Sequence, residues 1–259
     1  MDSFYACVGH ASVDHHFEID TFASQPTKTP AKSYRMIPGG MAANAAVAMA
    51  RLGAQVKLFG RLGDDEIGAF VRQAVQDCGV HTLLETVANS YTSVSSVVVD
   101  ARGERQIFNH RGDALDKAHA LDVRQLTGAR AVLVDPRWRA GALAALQWAK
   151  AHKVLSMLDA DVAPQADLRH LVPAAQWAVF SEPGLVCYAP HAASHADALA
   201  EALAAGAQVA MVTLGERGVL WTRGQGLHTV PGFPVQALDT TGAGDVFHQP
   251  VPHLRLGVH

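Results

Sequence analysis

The stretch Asp239-Thr240-Thr241-Gly242-Ala243-Gly244-Asp245 places three small residues directly before a carboxylate. Small side chains at 242–244 let consecutive backbone N–H groups converge, and a helix that begins here directs its positive end to the same point. A phosphate would bind at such a turn, and Asp245 would then lie close enough to accept a proton from an attacking hydroxyl. The alternative is a glycine-rich turn capped by Asp, which the surrounding Asp-Thr-Thr context disfavours.

A second glycine motif, Gly39-Gly40-Met41-Ala42-Ala43-Asn44, opens a long alanine-rich segment. Paired glycines allow a backbone to approach a ligand closely, and Asn is a poor helix former unless its side chain bonds something specific. A sugar hydroxyl would suit Asn44; the alternative is an incidental Asn in a glycine-rich helix start. Asp14 follows the first predicted strand and could accept bonds from two adjacent hydroxyls, although an isolated Asp there is more often a turn residue.

Outward from these motifs, short apolar runs alternate with Ala/Leu-rich segments of helical length, which predicts an α/β fold with a mostly parallel sheet. The predicted strands of this sheet are 4–9, 56–60, 131–135, 154–159, 177–180 and 207–213, followed by an antiparallel pair at 218–222 and 227–230. The predicted helices are 42–52, 67–78, 140–151 and 193–204. Gly53 and Gly79 stand where helix C-caps belong.

Two segments interrupt this alternation and predict a small separate β-sheet. Its strands are expected within 15–37 and within 93–110, the latter a hairpin that turns at 101–103. Such a sheet could lie as a lid over the carboxyl edge of the main sheet, where ligands of open α/β folds bind. Because no composition break marks two units, we expect residues 1–259 to form a single domain.

The glycine motifs, in this order and at this separation, resemble the signatures of the ribokinase (PfkB) family of carbohydrate kinases. Two further turns match the family, Gly63-Asp64-Asp65 and Thr213-Leu214-Gly215-Glu216-Arg217-Gly218. The resemblance covers nearly the whole chain and implies a ribokinase-like three-layer fold, ATP and Mg²⁺ as cosubstrates, and a homodimer formed through the lid sheet.

Residue by residue, the resemblance implies a role for each matching position. Asp245 would be the catalytic base, and Gly242, Ala243 and Gly244 would form the anion hole. The implied sugar contacts are Asp14, Gly39, Gly40 and Asn44. The implied nucleotide-side residues are Thr213, Gly215, Gly218 and Glu182.

Within the family, the sequence is similar to the branch that phosphorylates sulfofructose, through residues 134–138, 158–165 and 180–185. This similarity implies an anionic ketose whose acidic group is held by Lys32, Asn109 and Arg137. Arg137 also follows a buried strand, where a charged residue usually has a partner or a ligand, and its planar guanidinium suits oxyanions. Lys32 and Asn109, taken alone, are more typical of solvated strand residues.

Two departures from the family pattern bear on activity. The family's Asn-x-x-Glu segment is replaced by Ser181-Glu182-Pro183-Gly184, which leaves open how Mg²⁺ is held. After Asp245, Pro250 and Pro252 stand where the family continues a helix, and each interior proline costs a helix roughly 3 kcal/mol. We therefore expect a chain that is C-terminally truncated relative to the family, with impaired phosphoryl transfer.

Bulk properties exclude other classes of function. A net charge of -3 without basic runs disfavours nucleic acid and acidic membranes as partners. No leader or spanning segment is evident, three scattered cysteines fit free thiols, and the histidines lack zinc-ligand spacing, so we expect a cytoplasmic protein without a structural metal.

Alternatives within and outside the kinase class remain open from sequence alone. The substrate could be fructose or 2-keto-3-deoxygluconate, or the chain could be a sugar-binding relative without catalysis. A nucleotide-linked oxidoreductase is disfavoured because residues 9–14 lack GxGxxG.

Overall fold

The computed structural model describes residues 3–117, 121–235 and 242–247, within which nine strands form a large sheet and four form a small one. The strands are β1 (Phe4–Gly9), β2 (Ser12–Glu18), β3 (Ser33–Gly39), β4 (Val56–Gly63), β5 (His81–Val87), β6 (Ser93–Val99), β7 (Arg105–His110), β8 (Ala129–Val134), β9 (Leu155–Ala160), β10 (Trp177–Ser181), β11 (Val209–Thr213), β12 (Val219–Thr222) and β13 (Leu227–Val230). The α-helices are α1 (Met41–Arg51), α2 (Glu66–Asp77), α3 (Arg139–His152), α4 (Gln165–Leu171), α5 (Glu182–Tyr188), α6 (His195–Ala205) and α7 (Ala243–Phe247).

The large sheet has the spatial order β13-β12-β11-β10-β9-β8-β1-β4-β5. The seven strands from β11 to β5 are parallel, and β12 and β13 continue the sheet as an antiparallel pair. This order brings the carboxyl ends of β1, β8, β9 and β10 to one edge, where the loops that follow them meet.

The buried strand β1 shows why the sheet is covered on both faces. Alternate residues point to opposite faces of a strand, so Phe4, Ala6 and Val8 pack into one apolar core and Tyr5 and Cys7 into the other. The first core also contains apolar residues of α3 to α6, whereas the second contains residues of α1 and α2. A strand with both faces buried reads as a continuous apolar run, which is the pattern that predicted the parallel sheet.

The small sheet has the order β3-β2-β6-β7, in which β2 and β6 are parallel and the two outer pairs are antiparallel. Each of its four predicted strands is present, with β2 beginning at Ser12 rather than at residue 15. Gly103, at a φ of +83°, lies in the turn between β6 and β7. The outer strand β7 is exposed along its whole length.

The predicted α/β class and the mostly parallel central sheet are confirmed, and the predicted helix ends at Gly53 and Gly79 have the positive φ of helix-terminating glycines. Of the strands and α-helices described, β5, α4 and α5 were not predicted. The strand β5 lies at the sheet edge with one pairing partner, so its sequence mixes apolar and charged residues. The helices α4 and α5 have seven residues each, too few for helical periodicity to be distinctive.

Some predictions concern residues outside the described ranges. Residues 239–241 of the glycine motif and residues 248–259, which include the two prolines of the predicted truncation, belong to this group. In the part of the chain that is described, no helix has both the length and the hydropathy to cross a bilayer.

Candidate active site

The two glycine motifs meet in the folded chain. Asn44 of α1 donates a hydrogen bond from Nδ2 to Oδ2 of Asp245 at 2.7 Å, across 201 positions of sequence. Gly242 also lies beside this pair, since a Cβ built on it would be in van der Waals contact with Asn44 Nδ2 at 3.4 Å. The predicted base and the predicted sugar-binding Asn therefore belong to one site.

This site opens into a cavity of about 380 Å³ between the carboxyl edge of the large sheet and the small sheet. Most of the residues predicted from the sequence line it. These residues are Asp14, Gly40, Asn44, Asn109, Arg137, Gly242, Ala243, Gly244 and Asp245. The structure thus brings the predicted sugar contacts and the glycine-Asp turn to the same cavity.

The turn into α1 depends on glycine at two consecutive positions. A Cβ at Gly39 would lie 2.7 Å from the carboxylate of Asp14, and a Cβ at Gly40 would lie 2.6 Å from the carbonyl oxygen of His10. Gly40 also has a φ of +98°, which L side chains rarely adopt. Close approach between this turn and the end of β1 is what presents Asn44 to the cavity.

We expect Gly40→Ala to lower the free energy of unfolding by about 2–5 kcal/mol. Two costs contribute to this loss, the strain of an L residue at positive φ and the steric overlap of its Cβ with the link between β1 and β2. Gly53→Ala is the matched control. Gly53 has a φ of +85°, but a Cβ there meets nothing within 4 Å, so only the conformational strain of about 1–2 kcal/mol is expected. Urea denaturation of both variants measures the difference, and equal losses would show that the close packing at Gly40 contributes nothing.

Asp14 lies on β2 and faces the cavity between the two sheets. Burial raises the pKa of its carboxyl group, while hydrogen bonding to Ser95 and the nearby His16 and His15 act in the opposite direction. Ser95 in turn accepts a hydrogen bond from Nδ2 of Asn109 at 3.0 Å. Polar groups of β2, β6 and β7 therefore form one wall of the cavity.

Two arginines, Arg111 and Arg137, also line the cavity. Both lie near the ring of His10, whose pKa is lowered to about 3 by burial first and by the two arginines second. His10 is therefore neutral at pH 7, and its buried Nε2 has no hydrogen-bond partner among the described residues. An anionic substituent of a ligand in this part of the cavity would lie close to the two positively charged arginines.

Several residues that line the cavity were not predicted from the sequence. They are His10, Ser12, Ser95, Arg111, Asp159, Asp161 and Ser181. His10, Asp161 and Ser181 lie at or just after the carboxyl ends of parallel strands, so the position of each strand end was the signal that could have identified them. Arg111 follows the exposed strand β7 and carries no such signal.

Lys32 lies apart from the other predicted contacts of the acidic group. It forms an ion pair with Asp20 and lines a neighbouring cavity of about 720 Å³ between the small sheet and α1. The two cavities share Asp14, Asn44 and Gly242, so they adjoin on either side of these residues. The structure does not bring Lys32 together with Asn109 and Arg137.

The predicted nucleotide-side residues lie farther along the same sheet edge and do not line the 380 Å³ cavity. Thr213 ends β11 opposite Ser181 of β10, and Gly215 and Gly218 take positive φ in the turn that follows. Glu182 begins α5 and pairs with Arg217 at 2.7 Å and with His195 at 3.1 Å. The bond from Arg217 is the main cause that holds the pKa of Glu182 below its usual value.

Among the described residues, no group of three or more His, Cys, Asp and Glu side chains is arranged to hold a metal ion. Two carboxylates, Asp159 and Asp161, line the cavity close to Ser181. Ser181 donates a hydrogen bond to Asp161 at 2.6 Å, which fixes that carboxylate at the sheet edge. One or two carboxylates together with substrate phosphates are sufficient ligands for Mg²⁺.

Comparison with protein families finds a match to the model of the pfkB family carbohydrate kinases over residues 2–248. Ribokinase of Bacillus subtilis is 30% identical over 83% of this chain and 73% of its own length. Fructokinase-1 of Oryza sativa is 28% identical over 84% of this chain and 73% of its own length.

Solved structures share the architecture. A candidate ribokinase from Agrobacterium tumefaciens is 32% identical and superposes with a TM-score of 0.89, covering 96% of this chain and 82% of its own. Arabidopsis thaliana ribokinase complexed with ribose and ATP is 25% identical and superposes with a TM-score of 0.81, covering 95% of this chain and 84% of its own. The predicted ribokinase-like fold is therefore confirmed.

Proposed function

Because the chain belongs to the pfkB family of carbohydrate kinases, we propose that it transfers the γ-phosphoryl group of ATP to a primary hydroxyl of a ketose. We propose further that this ketose carries an anionic group, as 6-deoxy-6-sulfofructose does. The sugar would occupy the 380 Å³ cavity, with its hydroxyls beside the lining residues Asp14, Gly40 and Asn44. Gly39, which does not line the cavity, would contribute through its place directly before Gly40.

The contact between Asn44 and Asp245 is the observation that carries this proposal. A sugar hydroxyl held by Asn44 would lie within reach of the Asp245 carboxylate, because the two side chains are already 2.7 Å apart. Asp245 would accept the hydroxyl proton as the oxygen attacks phosphorus. The N–H groups of residues 242–244 would stabilise the charge that develops on the phosphoryl oxygens.

ATP as the donor is supported by the ATP and ribose present in the Arabidopsis ribokinase structure. The nucleotide would lie beside Thr213, Gly215, Gly218 and Glu182, on the sheet edge next to the sugar cavity. Asp161 and Asp159 are the carboxylates that would hold Mg²⁺ together with the phosphates. Bound Mg²⁺ would neutralise part of the negative charge of the transferring phosphoryl group.

An anionic substrate is supported by the two arginines on the cavity wall. Arg137 and Arg111 both reach it, and Asn109 adds a neutral amide. Arginine binds sulfonate, phosphate and carboxylate oxygens through a planar fork of N–H donors. In the described structure Lys32 pairs with Asp20, so we assign the main role in binding the acidic group to Arg137.

The experiment that tests the proposal is a panel of sugars in an assay coupled to ADP formation. The panel contains 6-deoxy-6-sulfofructose, fructose, ribose and 2-keto-3-deoxygluconate, each with Mg-ATP. The highest kcat/KM is expected for the sulfonated ketose. Equal turnover of fructose would remove the anionic-substrate part, and preference for 2-keto-3-deoxygluconate would replace the sulfonate by a carboxylate. Calorimetric sugar binding without ADP formation would identify a sugar-binding relative that does not catalyse.

We propose that the protein is a homodimer that pairs through the small sheet. Its outer strand β7 is exposed along its whole length, with Ile107 58% and Phe108 60% accessible. An exposed strand edge with apolar side chains favours pairing with a second chain. Sedimentation equilibrium would give twice the chain mass, and substitution of Phe108 by Asp is expected to shift the protein to the monomer.

A further inference from the structure

Asp135 is a buried carboxylate that neither glycine motif contains. Asp135 follows β8 at the carboxyl edge of the large sheet, and only 1% of the residue is exposed. Its Oδ2 accepts hydrogen bonds from the backbone N–H of His10 at 2.7 Å and of Ala42 at 3.1 Å. Its Oδ1 accepts from the N–H of Arg137 at 2.9 Å.

These three donors belong to three separate segments of the site. His10 lies in the link from β1 to β2, Ala42 in the first turn of α1, and Arg137 in a short 3₁₀ turn before α3. One carboxylate therefore ties the turn that presents Gly40 and Asn44 to the segment that presents the Arg137 guanidinium. Arg111 adds a second restraint, because its Nη2 donates to the carbonyl oxygen of Arg137 at 2.5 Å.

Asp135 packs closely against the end of β1. A Cβ at Gly9 would lie 2.2 Å from Oδ2, so the carboxylate lies directly against the backbone at the end of β1. The backbone N–H of Asp135 itself is bonded to the carbonyl oxygen of Val8 at 3.2 Å. Both ends of the residue are therefore fixed by the central strand.

We propose that Asp135 is a positioning residue that holds the sugar-binding turn and Arg137 in one mutual arrangement. This inference rests on the proposed function, because its effect is measured as sugar turnover and sugar binding. Asp135 does not line the cavity, so its contribution reaches the substrate only through the three backbone segments that it holds.

The chemistry requires an ionised carboxylate. Only an ionised acid is an acceptor at both oxygens, whereas the amide of Asn or the protonated acid presents a donor at one of them. At the Oδ1 position, that donor would face the N–H of Arg137; at the Oδ2 position, it would face the N–H groups of His10 and Ala42. In either case, two donors would face each other and the hydrogen bond would be lost. Removing one bond to a charged acceptor releases either the guanidinium segment or the sugar-binding turn.

The test compares Asp135→Asn with Asp122→Asn. Asp122 is a matched control because it also caps a 3₁₀ turn, accepting from the N–H of the Arg two positions later, but it lies outside the cavity. With 6-deoxy-6-sulfofructose and fructose as probes, we expect Asp135→Asn to raise the sugar KM about 20-fold through loss of a bond to a charged acceptor. The KM for ATP should stay unchanged, and Asp122→Asn should match the wild type.

An unchanged sugar KM in a folded Asp135→Asn variant would overturn the inference, as would equal increases in the KM for sugar and in the KM for ATP. If Asp135→Asn does not fold, Asp135→Glu takes its place, because Glu keeps an ionised carboxylate but moves both acceptor oxygens by one methylene group. An unchanged sugar affinity of that variant, measured by calorimetry, would contradict the inference. A wild type that binds these sugars but does not phosphorylate them would refute the proposed function and leave the binding test of Asp135 intact.

Discussion

Asp245→Asn is expected to lower kcat by about 100- to 10,000-fold, the contribution typical of a positioned general base. The amide of Asn keeps the size of the side chain but cannot accept the proton of the sugar hydroxyl. Because Asp245 and its neighbours 243 and 244 lie at the edge of the cavity and not in the core, the fold should be retained. The KM values for sugar and ATP are expected to change little, since the lost interaction belongs to the transition state.

Steady-state kinetics of ADP formation measure this effect, and Asp197→Asn is the matched control. Asp197 also lies in the first turn of a helix and takes part in a side-chain hydrogen bond of 2.7 Å, but it is on α6 away from the site. The control should retain wild-type kcat. A kcat within tenfold of the wild type for Asp245→Asn would refute the assignment of this residue as base.

Arg137→Gln is expected to lower kcat/KM for the sulfonated ketose by about 100- to 1,000-fold, as removal of one partner from a desolvated, hydrogen-bonded charge pair typically does. Gln can donate only one or two hydrogen bonds and carries no charge to balance a sulfonate. Turnover of fructose should change little, because fructose has no acidic group for Arg137 to hold. The ratio of the two kcat/KM values therefore reports the role of Arg137 directly.

Arg139→Gln provides the control for this substitution. Arg139 begins α3 two residues later and pairs at the surface with Asp167 at 3.1 Å. Its substitution therefore removes a charge from the same segment at a position that does not line the cavity. Its effect on both substrates should be small. Equal losses for sulfofructose and fructose in Arg137→Gln would contradict a charge-recognition role and would indicate a general disturbance of the site.

The two substitutions separate chemistry from substrate choice. Loss of turnover with every sugar in Asp245→Asn concerns proton transfer, whereas a changed preference between sugars in Arg137→Gln concerns recognition. Arg137 and Asp245 line the same cavity, but they act on different parts of the substrate. A protein that shows the first effect without the second would be a kinase for a neutral sugar.

Strands buried on both faces were predicted well because their apolar runs are unbroken. The first strand was predicted at 4–9 and is observed as Phe4–Gly9, with all six residues buried. The edge strand His81–Val87 was missed, because one unpaired side and exposed positions allow His81 and Glu85 within it. For the parallel strands of the large sheet, burial on both faces therefore produced the signal that the edge strand lacks.

The candidate site was predicted where a local motif reports a local requirement. Gly40 must be glycine because of its own φ and the nearby backbone of His10, and this need is visible as a glycine pair. Lys32 was grouped with Arg137 by resemblance, yet the structure places it beside Asp20 in the adjoining cavity. Whether two side chains from different segments converge depends on strand register, and the sequence of neither segment alone predicts it.

By itself, the sequence determined the α/β class, the small second sheet and the two glycine motifs, since each of these depends on residues close together in the chain. Only the tertiary structure decided that Asn44 contacts Asp245 across 201 positions and that Asp135 holds three backbone segments at once. The physical reason is that hydrophobic periodicity and backbone conformation are local properties. The contacts of Asp135 arise because β8 lies beside β1 in the sheet, and the contact of Asn44 with Asp245 arises because α1 packs against α7.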